Sequence, residues 1–145
     1  MNNRNRKVSR DKNHHDVALA LKRIGCSVAD MAMVGSDFPD LLAADRKTAV
    51  IFEVKVPDGR FDLGQLKFLA NWKGFSAFTT DGEEAVRIFR NPEELSLSEK
   101  EKFRILRLIT RYEADNEAKC RATGKRVKRP RISVKQFEAD FAAEL

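Results

Sequence analysis

Apolar side chains recur at two periods along this chain, and the two periods separate predicted helices from predicted strands. The first helical pattern covers residues 13–24 and stops at Gly25, because glycine commonly follows the last turn of a helix. Its apolar positions are Val17, Ala20, Leu21 and Ile24. Helical spacing returns in residues 63–73, where Phe68 and Trp72 are expected to be core side chains.

Four stretches are typical of β-strands because they are apolar or rich in β-branched and aromatic residues. They are residues 26–34, a segment that begins at Pro39, residues 48–56 and Phe75–Thr79. Gly35-Ser36 and Asp45-Arg46-Lys47 are predicted turns between them. With the helices, the order α-β-β-β-α-β-α predicts a mixed sheet with helices on its faces.

Capping boxes predict where two later helices begin. Thr80 with Glu83 opens a helix that runs to Phe89, and Ser96 with Glu99 opens a longer one. Asn91-Pro92 separates the two because proline interrupts helical hydrogen bonding.

The C-terminal part carries a long charged helix over residues 96–118 and a final amphipathic helix over residues 133–144. Their apolar stripes are Phe103, Leu106 and Ile109 with Thr110 or Tyr112 in the first, and Val134, Phe137 and Phe141 in the second. The sequence leaves open whether these helices cover the core or build a dimer.

Composition narrows the class of protein. A chain of 145 residues with 42% hydrophobic residues suits one domain with a buried core. Cys26 and Cys120 lie far apart, and the only histidines are His14 and His15, which we expect at the surface, so no structural zinc site is predicted. Cys26 is expected to be a small buried hydrophobe.

No membrane-length apolar run or secretory signal is present, and we expect a cytoplasmic protein of a bacterial or phage-infected cell.

The net charge of +6 is concentrated in two basic segments. Residues 1–12 carry five Lys or Arg against Asp11 alone, and residues 119–135 carry eight and no acid. The rest of the chain is net acidic, which favours polyanion contact through these segments, although a solvated tail is the alternative. The candidate DNA-binding residues are Arg4, Arg6, Lys7, Arg10, Lys125, Arg126, Lys128, Arg129 and Arg131.

The strand over residues 48–56 carries an unusual pair of charges. Because side chains alternate along a strand, Ile51, Glu53 and Lys55 share one face. The opposite, packed face is predicted to carry Val50, Phe52, Val54 and Val56. A carboxylate is costly to bury unless it is paired or binds a metal, and Asp40 on the neighbouring strand supplies a second one. Two carboxylates beside an ammonium suit Mg²⁺-assisted hydrolysis of a phosphodiester. A salt bridge on a solvated face is the alternative.

Pro39-Asp40 followed by Glu53-Val54-Lys55 resembles the motif of the PD-(D/E)xK nuclease superfamily. The wider context, "GSDFPDLL", "AVIFEVKV" and "LGQLKFLANWKG", is similar to small phage-type members of the virus-type replication-repair nuclease family, and the likeness spans residues 13–89. The resemblance implies a restriction-endonuclease-like α/β core of α-β-β-β-α-β order with a mixed sheet. It also implies a Mg²⁺- or Mn²⁺-dependent DNA endonuclease that acts as a homodimer on branched DNA such as Holliday junctions.

The resemblance also implies roles for single residues. Asp40 and Glu53 would be metal ligands, the backbone carbonyl of Val54 would complete the metal shell, and Lys55 would be the catalytic lysine. Gln65 matches the family's glutamine and would position Lys55 or a water.

Two positions depart from the family pattern. Relatives usually carry Glu where this chain has Asp16, a possible further metal ligand, and often a small residue where it has Asp37. The extra acid at Asp37 either tunes the site or caps a turn.

The predicted organisation is a basic arm over residues 1–12, a nuclease core over 13–90 and a helical extension over 91–145. A catalytically silent DNA-binding accessory protein with the same fold is the alternative function. A small-ligand α/β domain is a third, but Thr123-Gly124-Lys125 lacks the upstream glycine of a P-loop, so no nucleotide cofactor is expected.

Overall fold

A computed structural model describes the backbone of residues 3–31, 34 and 37–144, and the side chains of residues 12–31, 34 and 37–144. The helices and strands are α1 (Asn3–Arg23), β1 (Ser27–Asp30), β2 (Leu41–Ala44), β3 (Ala49–Val54), β4 (Arg60–Asp62), α2 (Leu63–Asn71), β5 (Phe75–Thr79), α3 (Gly82–Arg90), α4 (Pro92–Leu95), α5 (Glu99–Thr123), β6 (Arg131–Ser133) and α6 (Val134–Ala143). None of the helices in these ranges is both long and apolar enough to cross a membrane.

The main sheet has the order β1-β2-β3-β5, with β3 and β5 parallel and the other pairs antiparallel. This confirms the predicted α/β class and the mixed sheet. The predicted turn between β2 and β3 is also confirmed, because Asp45 Oδ1 accepts the backbone N–H groups of Lys47 and Thr48, both at 2.8 Å. These two hydrogen bonds lower the pKa of Asp45. The turn sets the register in which Leu41 pairs with Phe52.

One face of the sheet packs against α1 and α3. Val50, Phe52 and Val54 of β3 lie together in this first core cluster, as their alternation predicted. The two helices approach closely at Gly82, where an added Cβ would lie 2.6 Å from the Cβ of Ala20. Cys26 also belongs to this cluster and is 7% exposed, which confirms its predicted burial.

The other face of the sheet is covered by α2, and α5 and α6 pack beyond it. The Ser76 hydroxyl of β5 donates to the Leu69 carbonyl of α2 at 3.0 Å, which ties that helix to the sheet. The second core cluster joins α2 to the C-terminal helices through Phe61, Leu63, Leu66, Ala70, Ile105, Leu108, Ile109, Tyr112, Val134 and Phe137. The C-terminal helices therefore cover the core, which was one of the two roles left open by the sequence.

A buried lysine also fixes α2 to α5. Lys102 is 4% exposed, and its Nζ donates to the carbonyls of Trp72 at 2.6 Å and Gly74 at 3.0 Å. These carbonyls lie at and just beyond the C-terminal end of α2, where a cation is favourable.

Strands β4 and β6 were not predicted from the sequence. They pair antiparallel, with Phe61 opposite Ile132, in a separate two-stranded sheet. Two further backbone hydrogen bonds flank the pair, from Leu63 N–H to the Pro130 carbonyl and from Val134 N–H to the Gly59 carbonyl, both 3.0 Å. Segments of three residues are too short to show an alternating pattern, so neither strand nor its pairing partner could be predicted from the sequence.

Several predicted helix boundaries are wrong. Helix α1 begins at Asn3, well before residue 13. Helix α3 is capped by Asp81, whose side chain accepts the Glu84 N–H. Helix α5 is opened by a capping box of Ser98 and Glu101. In the last two cases an acceptor slightly further along the chain has the required extended backbone, which the spacing of residue types alone does not determine.

The predicted stripe of α5 is correct for Ile109 and Tyr112 but wrong for Phe103, which is 69% exposed. Lys102 takes the buried position beside it because its ammonium reaches the end of α2. The stripe of α6 is confirmed. The predicted turn at Gly35-Ser36 lies outside the described residues.

The contact of α5 with α6 predicts a pH dependence of stability. Tyr112 donates to Asp140 Oδ2 at 2.6 Å, and this hydrogen bond is the largest cause of the lowered pKa of Asp140, followed in the same direction by that from Gln136. Burial raises the pKa of Tyr112, and so does its contact with Asp140. A carboxyl group whose pKa is lower in the folded than in the unfolded chain stabilises the fold at pH values above its unfolded pKa, about 3.9. This stabilisation is lost as the pH falls through the pKa of the folded state.

We therefore expect Asp140→Asn to lower the free energy of unfolding by about 1–2 kcal/mol at pH 7 and by much less at pH 3. Urea denaturation at both pH values measures the difference. Asp115→Asn, on the exposed side of α5, is the control and should have little effect at either pH. Equal losses for Asp140→Asn at pH 7 and pH 3 would contradict this assignment.

Candidate active site

The carboxylates of Asp40 and Glu53 lie at neighbouring ends of β2 and β3. Leu41 pairs with Phe52 in the antiparallel register, and Asp40 and Glu53 are each one residue beyond that pair. Since Leu41 and Phe52 belong to the first core cluster, the next residues point to the opposite face. Asp40 is 4% exposed and Glu53 3% exposed, so the structure brings two buried carboxylates to one face.

Asp40 is held by the backbone of β3. Its Oδ2 accepts the N–H of Val54 at 2.9 Å, and its own carbonyl accepts the N–H of Met31 at 2.9 Å. Val54, whose carbonyl was predicted as a metal ligand, is therefore adjacent to the Asp40 carboxylate. The alternative of a salt bridge on a solvated strand face is wrong, because Ile51 and Glu53 are both buried.

Lys55 follows the last residue of β3 and lies partly covered. Its N–H donates to the Thr79 carbonyl of β5 at 2.7 Å. Its Nζ lies 2.9 Å from Oε1 of Glu138 on α6 and 6.0 Å from the centre of the Phe78 ring. Phe78 is the residue of β5 that pairs with Glu53. The end of β3 therefore places a cation beside the face that carries the carboxylates.

Gln65 lies in the first turn of α2, partly buried. The described hydrogen bonds do not join it to Lys55, and its predicted role remains a prediction. Asp37 contacts the same turn, because a Cβ placed on Gly64 would lie 2.1 Å from Asp37 Oδ1. The Asp37 carboxylate therefore lies at the N-terminal end of α2, where a negative charge is favourable.

The described residues offer few side-chain ligands for a divalent metal. The described part of the chain contains no group of three or more His, Cys, Asp and Glu side chains that could hold an ion. Asp16, the possible further ligand, is exposed on α1 and does not join such a group. Mg²⁺ takes only one or two carboxylates and completes its shell with waters and substrate phosphate, so Asp40 and Glu53 fit Mg²⁺ or Mn²⁺.

The prediction that Phe68 and Trp72 are core side chains is wrong. Phe68 is partly buried and stacks on Trp72, which is 39% exposed, with ring centres 5.6 Å apart. The centre of the Phe38 ring lies 5.1 Å from that of Phe68, and Phe38 is 37% exposed. These rings line the outside of α2 because its inner side is filled by leucines of the second cluster and Leu69.

The predicted DNA-binding residues fall into two groups. Lys125, Arg126, Lys128 and Arg129 are exposed in the loop between α5 and β6, called the basic loop below. Arg131 is also exposed, but its Nε lies 3.0 Å from Asp62 Oδ1. Arg4, Arg6, Lys7 and Arg10 lie within α1, and their side chains are outside the described residues.

With this geometry established, the chain was compared with known proteins. No family model, no curated protein and no solved structure matched.

Glu138 was missed by the sequence reasoning. It follows the buried Phe137 at the edge of the apolar stripe of α6, where an acid is ordinarily a solvated residue. Its contact with Lys55 joins residues 83 positions apart, so local spacing gave no signal.

The contact between Asp37 and Gly64 predicts a coupled effect on stability. Alanine normally stabilises a helix by up to about 1 kcal/mol relative to glycine. In the wild type this gain should be offset, because the Asp37 carboxylate must move away from the new Cβ. We expect the change in the free energy of unfolding caused by Gly64→Ala to be about 1 kcal/mol more stabilising in an Asp37→Gly protein than in the wild type. Urea denaturation of the four proteins measures this coupling, and additive effects would contradict the contact.

Proposed function

We propose that the chain is a metal-dependent DNA endonuclease with a restriction-endonuclease-like core. One observation carries the proposal. The buried carboxylates of Asp40 and Glu53 lie on one face of the sheet at neighbouring strand ends, and Lys55 lies two residues after Glu53 in the chain. Burying two carboxylates together opposes folding, so this arrangement is more typical of a functional site than of a packing face.

The chemistry proposed is hydrolysis of a phosphodiester bond. Asp40 and Glu53 would hold Mg²⁺ or Mn²⁺ through carboxylate oxygens, with the Val54 carbonyl as a further donor. Such a metal ion supplies an activated water and offsets negative charge on the phosphoryl oxygens. The Lys55 ammonium would orient the attacking water and stabilise the charge that develops on the phosphate. Gln65, in the first turn of α2, is the candidate to position that water.

Charge on the surface supports DNA as the substrate. The four exposed cations of the basic loop precede Pro130, whose carbonyl accepts the Leu63 N–H at the start of α2. Gln65 lies in that same first turn of α2. The basic loop is thus anchored next to the helix end that carries a candidate site residue, and it would hold the phosphate backbone.

Branched DNA and a homodimer belong to the same proposal. A four-way junction presents two related strands, and cutting both calls for two copies of the site.

The central experiment is cleavage of a four-way junction and a linear duplex with Mg²⁺, Mn²⁺ or EDTA. We expect metal-dependent cleavage by the wild type. Asp40→Asn, Glu53→Gln and Lys55→Ala should each lower the cleavage rate by a factor of roughly 100 or more. The first two remove a carboxylate that would hold the metal, and the third removes the ammonium that would stabilise charge on the phosphate. Gel separation of labelled strands measures the rates.

Lys100→Ala, which removes an exposed lysine of α5, is the control and should cleave like the wild type. Cleavage that persists in EDTA or in Lys55→Ala would contradict the proposal. A wild type that binds the junction but cuts neither substrate would instead favour the silent DNA-binding accessory protein.

The basic loop predicts a salt-dependent affinity. Replacing Lys128 and Arg129 together by Ala should weaken DNA binding for all sequences alike. The slope of log affinity against log salt concentration should fall by about 0.9 for each lost phosphate contact on duplex DNA. Filter binding in EDTA measures both quantities, with Lys100→Ala as control. An unchanged slope would show that this loop does not contact phosphates.

A further inference from the structure

The Lys55 side chain is fixed from two directions. Glu138 of α6 accepts from its Nζ at 2.9 Å, and the Phe78 ring of β5 lies 6.0 Å from the same atom. The Lys55 side chain is 23% exposed. The ammonium group therefore lies between α6 and the sheet, and the sequence did not point to Glu138 as its partner.

Glu138 is itself held in place by its neighbours on α6. Phe137, 3% exposed, packs edge-on against Phe61 with ring centres 5.5 Å apart. Two residues beyond Glu138, Asp140 accepts the Tyr112 hydroxyl at 2.6 Å. The backbone on both sides of Glu138 is thus attached to other elements, so α6 presents this carboxylate at a fixed position.

The ion pair contributes little to the stability of the fold. Glu138 is 51% exposed, and ion pairs that are exposed to this extent add little to the free energy of unfolding. The pair matters more for the position of the ammonium. A lysine side chain has many rotamers, whereas a catalytic group must be held within about 0.5 Å of its productive position.

We propose that Glu138 is a positioning residue for Lys55, an inference that rests on the proposed nuclease function. An ammonium has three N–H donors. One donates to Glu138, which leaves two for the attacking water and a phosphate oxygen. Of the two roles that the resemblance implied for Gln65, positioning Lys55 or positioning a water, the first would then fall to Glu138, and the C-terminal helix becomes part of the site.

The test compares Glu138→Gln with Glu113→Gln. Glu113 is the matched control, because it is 49% exposed and pairs with Lys67 at 3.2 Å on the surface. On a DNA substrate that the wild type cuts in Mg²⁺, we expect Glu138→Gln to lower kcat roughly 10- to 100-fold. KM and the melting temperature should stay unchanged, Glu138→Asp should recover part of kcat, and Glu113→Gln should match the wild type.

A second readout needs neither metal nor DNA. In the NMR spectrum of the metal-free protein, Glu138→Gln should shift the Lys55 Hε and Cε signals, identified by their loss in Lys55→Arg. Glu113→Gln should leave them in place. An unmoved Lys55 signal would overturn the contact.

Unchanged or raised kcat for Glu138→Gln, in a chain whose wild type cleaves DNA, would overturn the positioning role alone. A wild type without cleavage would overturn the proposed function and the positioning role with it. The two failures are therefore distinguishable.

Discussion

The register between β2 and β3 is the constraint on which the rest of the site depends. The Asp45 turn fixes it, because the side chain binds two backbone N–H groups and leaves a single way to align the strands. A slip of one residue would send every side chain of one strand to the other face. Asp40 would then no longer share a face with Glu53, and the first core cluster would lose Leu41 or Phe52. Core packing and the candidate chemistry thus require the same register.

Two buried carboxylates oppose folding, and both faces of the sheet supply what offsets them. The first core cluster stabilises one face with aliphatic and aromatic contacts, while α2 covers the other and is itself fixed by Lys102 and by the second cluster. The C-terminal helices are therefore not an independent addition to the sheet. They bury the side of α2 that carries Leu63 and Leu66, and α6 brings Glu138 to Lys55.

Local patterns in the sequence were sufficient for the sheet and for part of the site. The alternation in β3 predicted which residues share the packed face, which the structure places against α1 and α3, and the Asp45 turn joins the strands that were predicted. What the sequence did not reveal depends on contacts between distant segments. Strand β4 is defined by β6, the burial of Lys102 by the end of α2, and Glu138 by Lys55. None of these partners lies within a window that periodicity samples. The strand face and the resemblance together predicted the roles of Asp40, Glu53 and Lys55, whereas that of Gln65 came from the resemblance alone.

The pairing of β4 with β6 has a consequence for the order of folding. Residues of β2 and β3 are near neighbours along the chain, whereas β4 meets β6 only after a long loop has closed. Loop closure costs conformational entropy before the contact repays it, so distant pairings form late. We expect the central hairpin to assemble first and α6 to dock afterwards. During that interval Lys55 has no carboxylate from α6, and a partly folded chain would carry the sheet without a complete site.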